Sequence, residues 1–202
     1  MRKIVIALIA LLPLLATAQN TWEMPEEQEN ALKTNPDQKY LVGAVPVVNG
    51  QVVFQTTIAA PGKSARQIYD ILHAQMAKML KEKNQFEQSR FTIENPEKGE
   101  LAAYYQEWLV FKNKPLVLDR TRLMFNLTVV CKDGSAEVTI NRIHYLYDEE
   151  RNATTYRAEE WITDEYGLKK DKQKLSRVSG KFRRKTIDRK DYIFDKFATL
   201  LK

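Results

Sequence analysis

An α+β fold, a curved antiparallel sheet with helices on one face plus a C-terminal helical extension, follows from three patterns in the sequence. Asn49-Gly50 and Asp133-Gly134 each separate two runs rich in apolar and β-branched residues, as hairpin turns do. Between them, Ser64 with Gln67 three residues on forms a capping box in front of an amphipathic stretch. A second stretch with helical spacing, Ile193, Phe194, Phe197, Leu200 and Leu201, should dock on the sheet. Hairpins flanking a helix give an antiparallel sheet covered on one side.

The elements follow in order. Val47-Val48 and Gln51-Val52-Val53-Phe54 flank Asn49-Gly50, whose type I′ turn needs positive φ at both central residues, and the second strand runs to about Ala59. Pro61-Gly62-Lys63 turns the chain into a helix whose apolar face is Ile68, Ile71, Leu72, Met76, Met79 and Leu80, and which should end near Lys83. A polar stretch to Gly99 shows no element. Residues 100–111, 121–132 and 135–147 are long strands, the last two joined at Asp133-Gly134, and residues 154–162 form a further strand. Lys169 to Lys190 holds eleven Lys or Arg against Asp171 and Asp188, with few apolar positions, and reads as a solvated helix or helix–loop. No internal repeat is visible.

The chain has 202 residues, is 44% hydrophobic and carries a formal charge of +6, which suits one domain with appendages. Met1-Arg2-Lys3, the apolar run Ile4 to Leu15 and Ala16-Thr17-Ala18 before Gln19 have the three parts of a secretory signal. Twelve helical residues rise about 18 Å, short of the roughly 30 Å hydrocarbon core, so this is a signal and not an anchor. The expected organisation is a signal peptide at 1–18, a flexible polar leader at 19–39, an α+β domain at 40–165 and a basic helical extension at 166–202. The mature chain is expected in the periplasm or secreted, without a transmembrane segment. Cys131, the single cysteine, continues the face of Leu123, Phe125, Leu127 and Val129, and is expected packed and inert, with no intramolecular disulfide possible.

Tyr40-Leu41-Val42-Gly43-Ala44-Val45-Pro46, Asn49 to Phe54 and Pro61-Gly62-Lys63-Ser64-Ala65 resemble the start of an exported Bacteroidetes domain-of-unknown-function family, family 4468. Ala158-Glu159-Glu160-Trp161-Ile162 and Gly180 to Asp188 are similar to its C-terminal part. The resemblance implies a fold like that of the TATA-binding protein. It brings no activity, substrate or catalytic residue.

Candidate chemistry is sparse. Gly62-Lys63-Ser64 before a helix lacks the earlier glycine of a phosphate-binding loop, since Thr57 stands there, and reads as a strand-to-helix turn. His73 and His144 have no His or Cys partner at ligand spacing, so no metal site is expected, and His73 reads as an exposed helical residue. Arg142 and His144 continue the face of Ala136, Val138 and Ile140. Either a bulge near Asn141 turns Ile143, Tyr145 and Tyr147 inward, or two polar side chains line a pocket; the cost of burying unpaired charge favours the bulge. Arg142, His144 and Trp161 are the candidate ligand-binding residues. Lys181, Arg183 and Arg184, with Phe182 among them, form a candidate basic contact patch.

No complete catalytic constellation appears, and no cofactor motif. The leading reading is a non-enzymatic envelope binding module, its contact surface the open sheet face or the basic segment. Its partner would be an envelope protein, a glycan or an anionic lipid surface. Export argues against nucleic acid. The alternative is a hydrolase acting on an envelope polymer through a carboxylate pair, Glu159 or Glu160 with Asp164; adjacent residues of a strand point to opposite faces, so Glu159 and Glu160 cannot serve together.

Overall fold

The computed structural model describes residues 37–202; the expected signal peptide at 1–18 and all of the expected leader at 19–39 except Asp37, Gln38 and Lys39 lie outside the described residues. β1 (Val47–Val48) and β2 (Gln51–Val52) form a two-stranded hairpin with Val47 opposite Val52. Asn49 at φ +50° and Gly50 at φ +77° supply the two left-handed residues that the turn requires. A six-stranded antiparallel sheet follows in the spatial order β3 (Phe54–Ala59), β7 (Ser135–Tyr147), β6 (Val117–Lys132), β5 (Glu100–Lys114) and β4 (Arg90–Asn95). β8 (Thr154–Arg157) pairs with the part of β7 that β3 leaves free.

Helix α1 (Ala65–Met79) starts at Ser64, whose side chain accepts from the Gln67 N–H while the Gln67 side chain accepts from the Ser64 N–H. It buries Ile68, Leu72, Met76 and Met79 against Leu101, Tyr105, Leu127 and Val129 of the sheet. Lys63 donates to the Leu201 carbonyl at 2.9 Å, so the Gly62-Lys63-Ser64 turn ties the two helices' ends together. Helix α2 (Gly180–Leu201) lies on the same face and contributes Phe182, Ile187, Ile193, Phe197 and Leu201 to the one core.

Several sequence expectations are corrected. α1 stops at Met79 and not near Lys83: Lys81 and Glu82 bond back three residues, a tightened turn that aims Glu82 at Arg189. β4 was not legible, because it is an edge strand with few apolar residues, Phe91 and Ile93. β5 and β6 are longer than 100–111 and 121–132, since ladder bonds carry the pairing outward to Lys114 opposite Val117 past any hydrophobic alternation. β8 ends at Arg157; a 3₁₀ turn at Ala158–Glu160 replaces the rest of the strand read over 154–162. His73 is half-buried, stacked on Phe91 at 4.8 Å and bonded to Glu94 at 2.7 Å, pinning α1 to β4.

The bulge near Asn141 is present. Met124 faces His144 while Asn126 faces Asn141, so β7 carries one extra residue, and Arg142 sits there at φ +52°. Beyond it Ile143 and Tyr145 point into the core. Cys131 is buried, and burial pushes its thiol up to about 11, which leaves almost no thiolate at neutral pH.

The basic segment is a loop running into a helix, as the helix–loop reading has it, but it is not solvated throughout. Residues 169–179 form turns, and residues 180–190 are the first half of α2. Arg183 is 0% exposed and Arg189 1%. Arg189 makes a forked pair with Glu107 at 2.8 and 2.7 Å and reaches Glu82 at 3.2 Å. Burial disfavours its charge, but Glu107 and Glu82 outweigh that and hold it protonated. Glu82 is pushed up, first by burial and then by Glu107, with Arg189 opposing.

Candidate functional site

Because strand residues alternate between faces, the register shows which side chains share the uncovered side of the sheet. Both helices pack on the face that carries Tyr105, Leu123, Phe125 and Tyr145. The opposite face holds Trp108 beside Arg122 and Leu146, then Gln106 beside Met124 and His144, then Tyr104 beside Asn126 and Asn141. Ala102, Thr128, Thr139 and Gln55 form the next row. Among the described residues, no helix covers this face.

One end of this face carries an aromatic and guanidinium cluster. The chain after α1 folds back along the β5 edge, where the Phe86 N–H donates to the Gln106 carbonyl at 2.8 Å and the Trp108 N–H to the Asn84 carbonyl at 2.9 Å. That places the Phe86 ring 4.9 Å from Trp108. The Arg120 guanidinium lies 3.7 Å over Trp108 and that of Arg122 4.0 Å over Phe86, contacts favourable to a cation on an aromatic face. Glu149 pairs with Arg122, and Glu150 with Arg120 at 3.3 Å, so both guanidinium groups are oriented from the β7 end. All four ring and guanidinium side chains are half-buried, presenting flat surface with little rotamer freedom left to lose. Asn84 Oδ1, under the cluster, is a buried acceptor with no hydrogen-bond partner among the described residues.

The residues singled out from sequence are scattered. Arg142 is exposed at the bulge, and its carbonyl lies 2.7 Å from His144 Nδ1. His144 shares the open face with Met124 and Gln106, and Arg142 stands beside it as the unpaired residue of the bulge. Trp161 is elsewhere, stacked on Tyr156 at 3.8 Å and edge-on to Phe182 at 5.7 Å on the helix side, with its Nε1 buried and unbonded among the described residues.

The basic contact patch is corrected most. Arg183 is interior, donating to the carbonyls of Tyr40 at 2.6 Å, Leu41 at 2.6 Å and Ile162 at 2.7 Å, and to Asp164 Oδ1 at 2.7 Å. Burial lowers its pKa and Asp164 works against that, so its task is to clamp three backbone segments. Lys181 bonds Asp119 at 2.7 Å and Tyr147 at 3.0 Å. Arg184 pairs with Asp37 at 2.5 Å.

The carboxylates of the hydrolase reading are also committed. Glu159 accepts from the Val52 N–H at 2.8 Å, and Asp164 accepts from the Gly43 N–H at 2.8 Å besides holding Arg183. Glu160 is exposed on the 3₁₀ turn. The described residues contain no group of three or more His, Cys, Asp or Glu able to hold a metal. No helix among them is long and apolar enough to cross a membrane.

The open-face cluster does not show in the sequence, because the opposition of Trp108 and Arg122 depends on cross-strand register. The turn after Pro115 would have set that register to within one residue, the offset being the shift between Val110 and Lys112.

Comparison with known proteins agrees with this architecture. A family model described as "Domain of unknown function (DUF4468) with TBP-like fold" matches residues 54–146. The crystal structure of a DUF4468 family protein from Bacteroides ovatus is 43% identical, with a TM-score of 0.76, covering 84% of this chain and 96% of that one. A TBP-like protein from Parabacteroides distasonis is similar in fold, with a TM-score of 0.59 at 17% identity over 78% of this chain and 96% of its own. No curated protein matches the chain. The sheet order, the helices on one face and the identity to the Bacteroides ovatus protein together place this chain in the DUF4468 family, domains of unknown function with a TBP-like fold.

Proposed function

We propose that this chain is an exported, non-enzymatic interaction module that holds another envelope protein on the open face of its sheet. The observation that carries the reading is the Phe86, Trp108, Arg120 and Arg122 cluster: half-exposed aromatic and arginine side chains, with Arg122 held by two bonds to Glu149 and Arg120 stacked on Trp108. Trp and Arg are the residue types that dominate binding energy at protein interfaces. Charges of both signs on and beside this face, Glu100 and Glu137 with Arg120, Arg122 and Arg142, suit a protein surface better than an anionic lipid surface. Export rests on the signal-like segment 1–18, and that compartment makes nucleic acid a poor candidate.

A hydrolase would need two carboxylates facing one cleft, and Glu159 and Asp164 are instead engaged by backbone N–H groups and arginines. The test is affinity capture from the producing cell followed by titration of the captured protein. Trp108→Ala is expected to weaken binding about 30-fold or more, and Arg120→Ala about tenfold. Lys78→Ala on the exposed side of α1 should leave binding unchanged. Unaltered affinity in Trp108→Ala removes the open face from consideration.

A further inference from the structure

The two edges of the six-stranded sheet are built differently. β4 carries Arg90 and Glu94 and a register shift between Phe91 and Ile93, all of which discourage strand addition. β3 reads Phe54-Gln55-Thr56-Thr57-Ile58-Ala59, without a charge or a proline and with an unbroken register against β7. Two hydrogen bonds fix its peptide directions. Ala60 donates toward the β7 side, to the Gly134 carbonyl at 2.8 Å, and Val53 donates away from it, to the Pro46 carbonyl at 3.2 Å. Alternation between these points turns the N–H and C=O of Gln55, Thr57 and Ala59 outward.

A groove of about 520 Å³ runs between this edge and α2, lined by Thr56, Thr57, Phe194, Asp195, Ala198 and Lys202 among others. The helix side of the groove holds Asp195 and the Lys202 ammonium, neither of which has a hydrogen-bond or ion-pair partner among the described residues. Asp188, Arg189, Lys190 and Asp191, one to two turns earlier, are all paired.

We infer that a second copy of this chain fills this groove, the two β3 strands pairing antiparallel about a two-fold axis through Thr57. In that register Thr57 faces Thr57 of the second copy and Gln55 faces its Ala59, so every outward peptide group of one strand meets an outward group of the other. Residues of even number stay on the helix side in both copies, and the sheets join into one. The same axis runs the α2 helices antiparallel across the groove, with the small Ala198 near the centre. Asp195 of each copy then faces Lys202 of the other, which supplies both unpaired charges with partners. Gln55 and Thr57 lie at the margin of the open face, on the opposite sheet edge from the Phe86 and Trp108 cluster, and the inference stands without that reading.

Sedimentation equilibrium of the purified protein tests it. The wild type is expected to be a dimer at micromolar concentration. Thr57 is exposed, so Thr57→Lys leaves the protomer folded, as circular dichroism will check, and sets two like charges opposite each other across the axis. It should raise the dimer Kd about tenfold or more, and Asp195→Lys should raise it by about tenfold. The double variant Asp195→Lys/Lys202→Asp restores the pairing with reversed signs and should return the Kd to within about twofold of wild type. A wild type that stays monomeric at about 100 µM overturns the inference. So does a dimer indifferent to either single substitution, a double variant no tighter than Asp195→Lys, or a monomer that takes a foreign extended peptide onto β3.

Discussion

Replacing Arg189 by methionine is expected to lower the unfolding free energy by about 3–5 kcal/mol, one of the two largest effects in this molecule. Arg189 and Glu107 are both essentially buried and paired through two bonds of 2.8 and 2.7 Å, and Gln85 donates to the same carboxylate at 2.5 Å. Removing the guanidinium strands a carboxylate in the core between α2 and β5. Removing both partners, as Arg189→Met/Glu107→Leu, should recover most of the loss, because matched apolar side chains carry no desolvation cost. Urea unfolding of the two variants checks this, and equal stabilities for the single and double variants would refute it. Glu82, at the edge of the cluster, sets a pH dependence. Its pKa is raised on folding, so it favours the folded state while protonated, and that contribution is lost as pH rises through the folded pKa. The stability of Glu82→Gln relative to wild type should therefore increase with pH across the carboxylate range.

Arg183→Leu is the second large effect, expected to cost about 3–5 kcal/mol. The wild-type side chain satisfies the carbonyls of Tyr40, Leu41 and Ile162 and pairs with Asp164. Its loss leaves buried acceptors unmatched and detaches the segment after Asp37 from α2. Hydrogen exchange should then rise first in residues 37–45 and 161–168, ahead of the sheet. Arg183→Lys should rescue little, since an ammonium lacks the planar fork that reaches acceptors in several directions. Uniform protection across both segments in Arg183→Leu would show that the clamp is not what holds them. A charge reversal of Lys181, Arg183 and Arg184 together would test folding and not contact, because Arg183 is interior.

What could be read in the sequence follows from how local each signal is. The Asn49-Gly50 and Asp133-Gly134 turns, the Ser64 capping box and the bulge before Ile143 each rest on neighbouring residues, and each is in the structure. β4 and the outer arm of β5 and β6 depend on ladder bonds to a strand already present, and leave little hydrophobic alternation. Burial of Arg183 and Arg189 could not be read from a run of basic residues, because it depends on carbonyls and carboxylates far away in the chain, at 40, 41, 82 and 107. Helical spacing did place Arg183 four residues before Ile187, on the inward side, a signal outweighed by charge. The open-face cluster fails to show for a similar reason: Phe86, Trp108 and Arg122 come from three segments and meet only through pairing.

The most direct test of the open face as the partner's seat is photo-cross-linking in the producing cell. One variant carries a photoactivatable residue at position 124, in the middle of that face. A second carries it at position 74, on the exposed side of α1. A discrete adduct of one protein at position 124 and none at position 74 is the predicted result. An adduct at position 74 with none at position 124 would contradict it and move the contact surface to the helical layer.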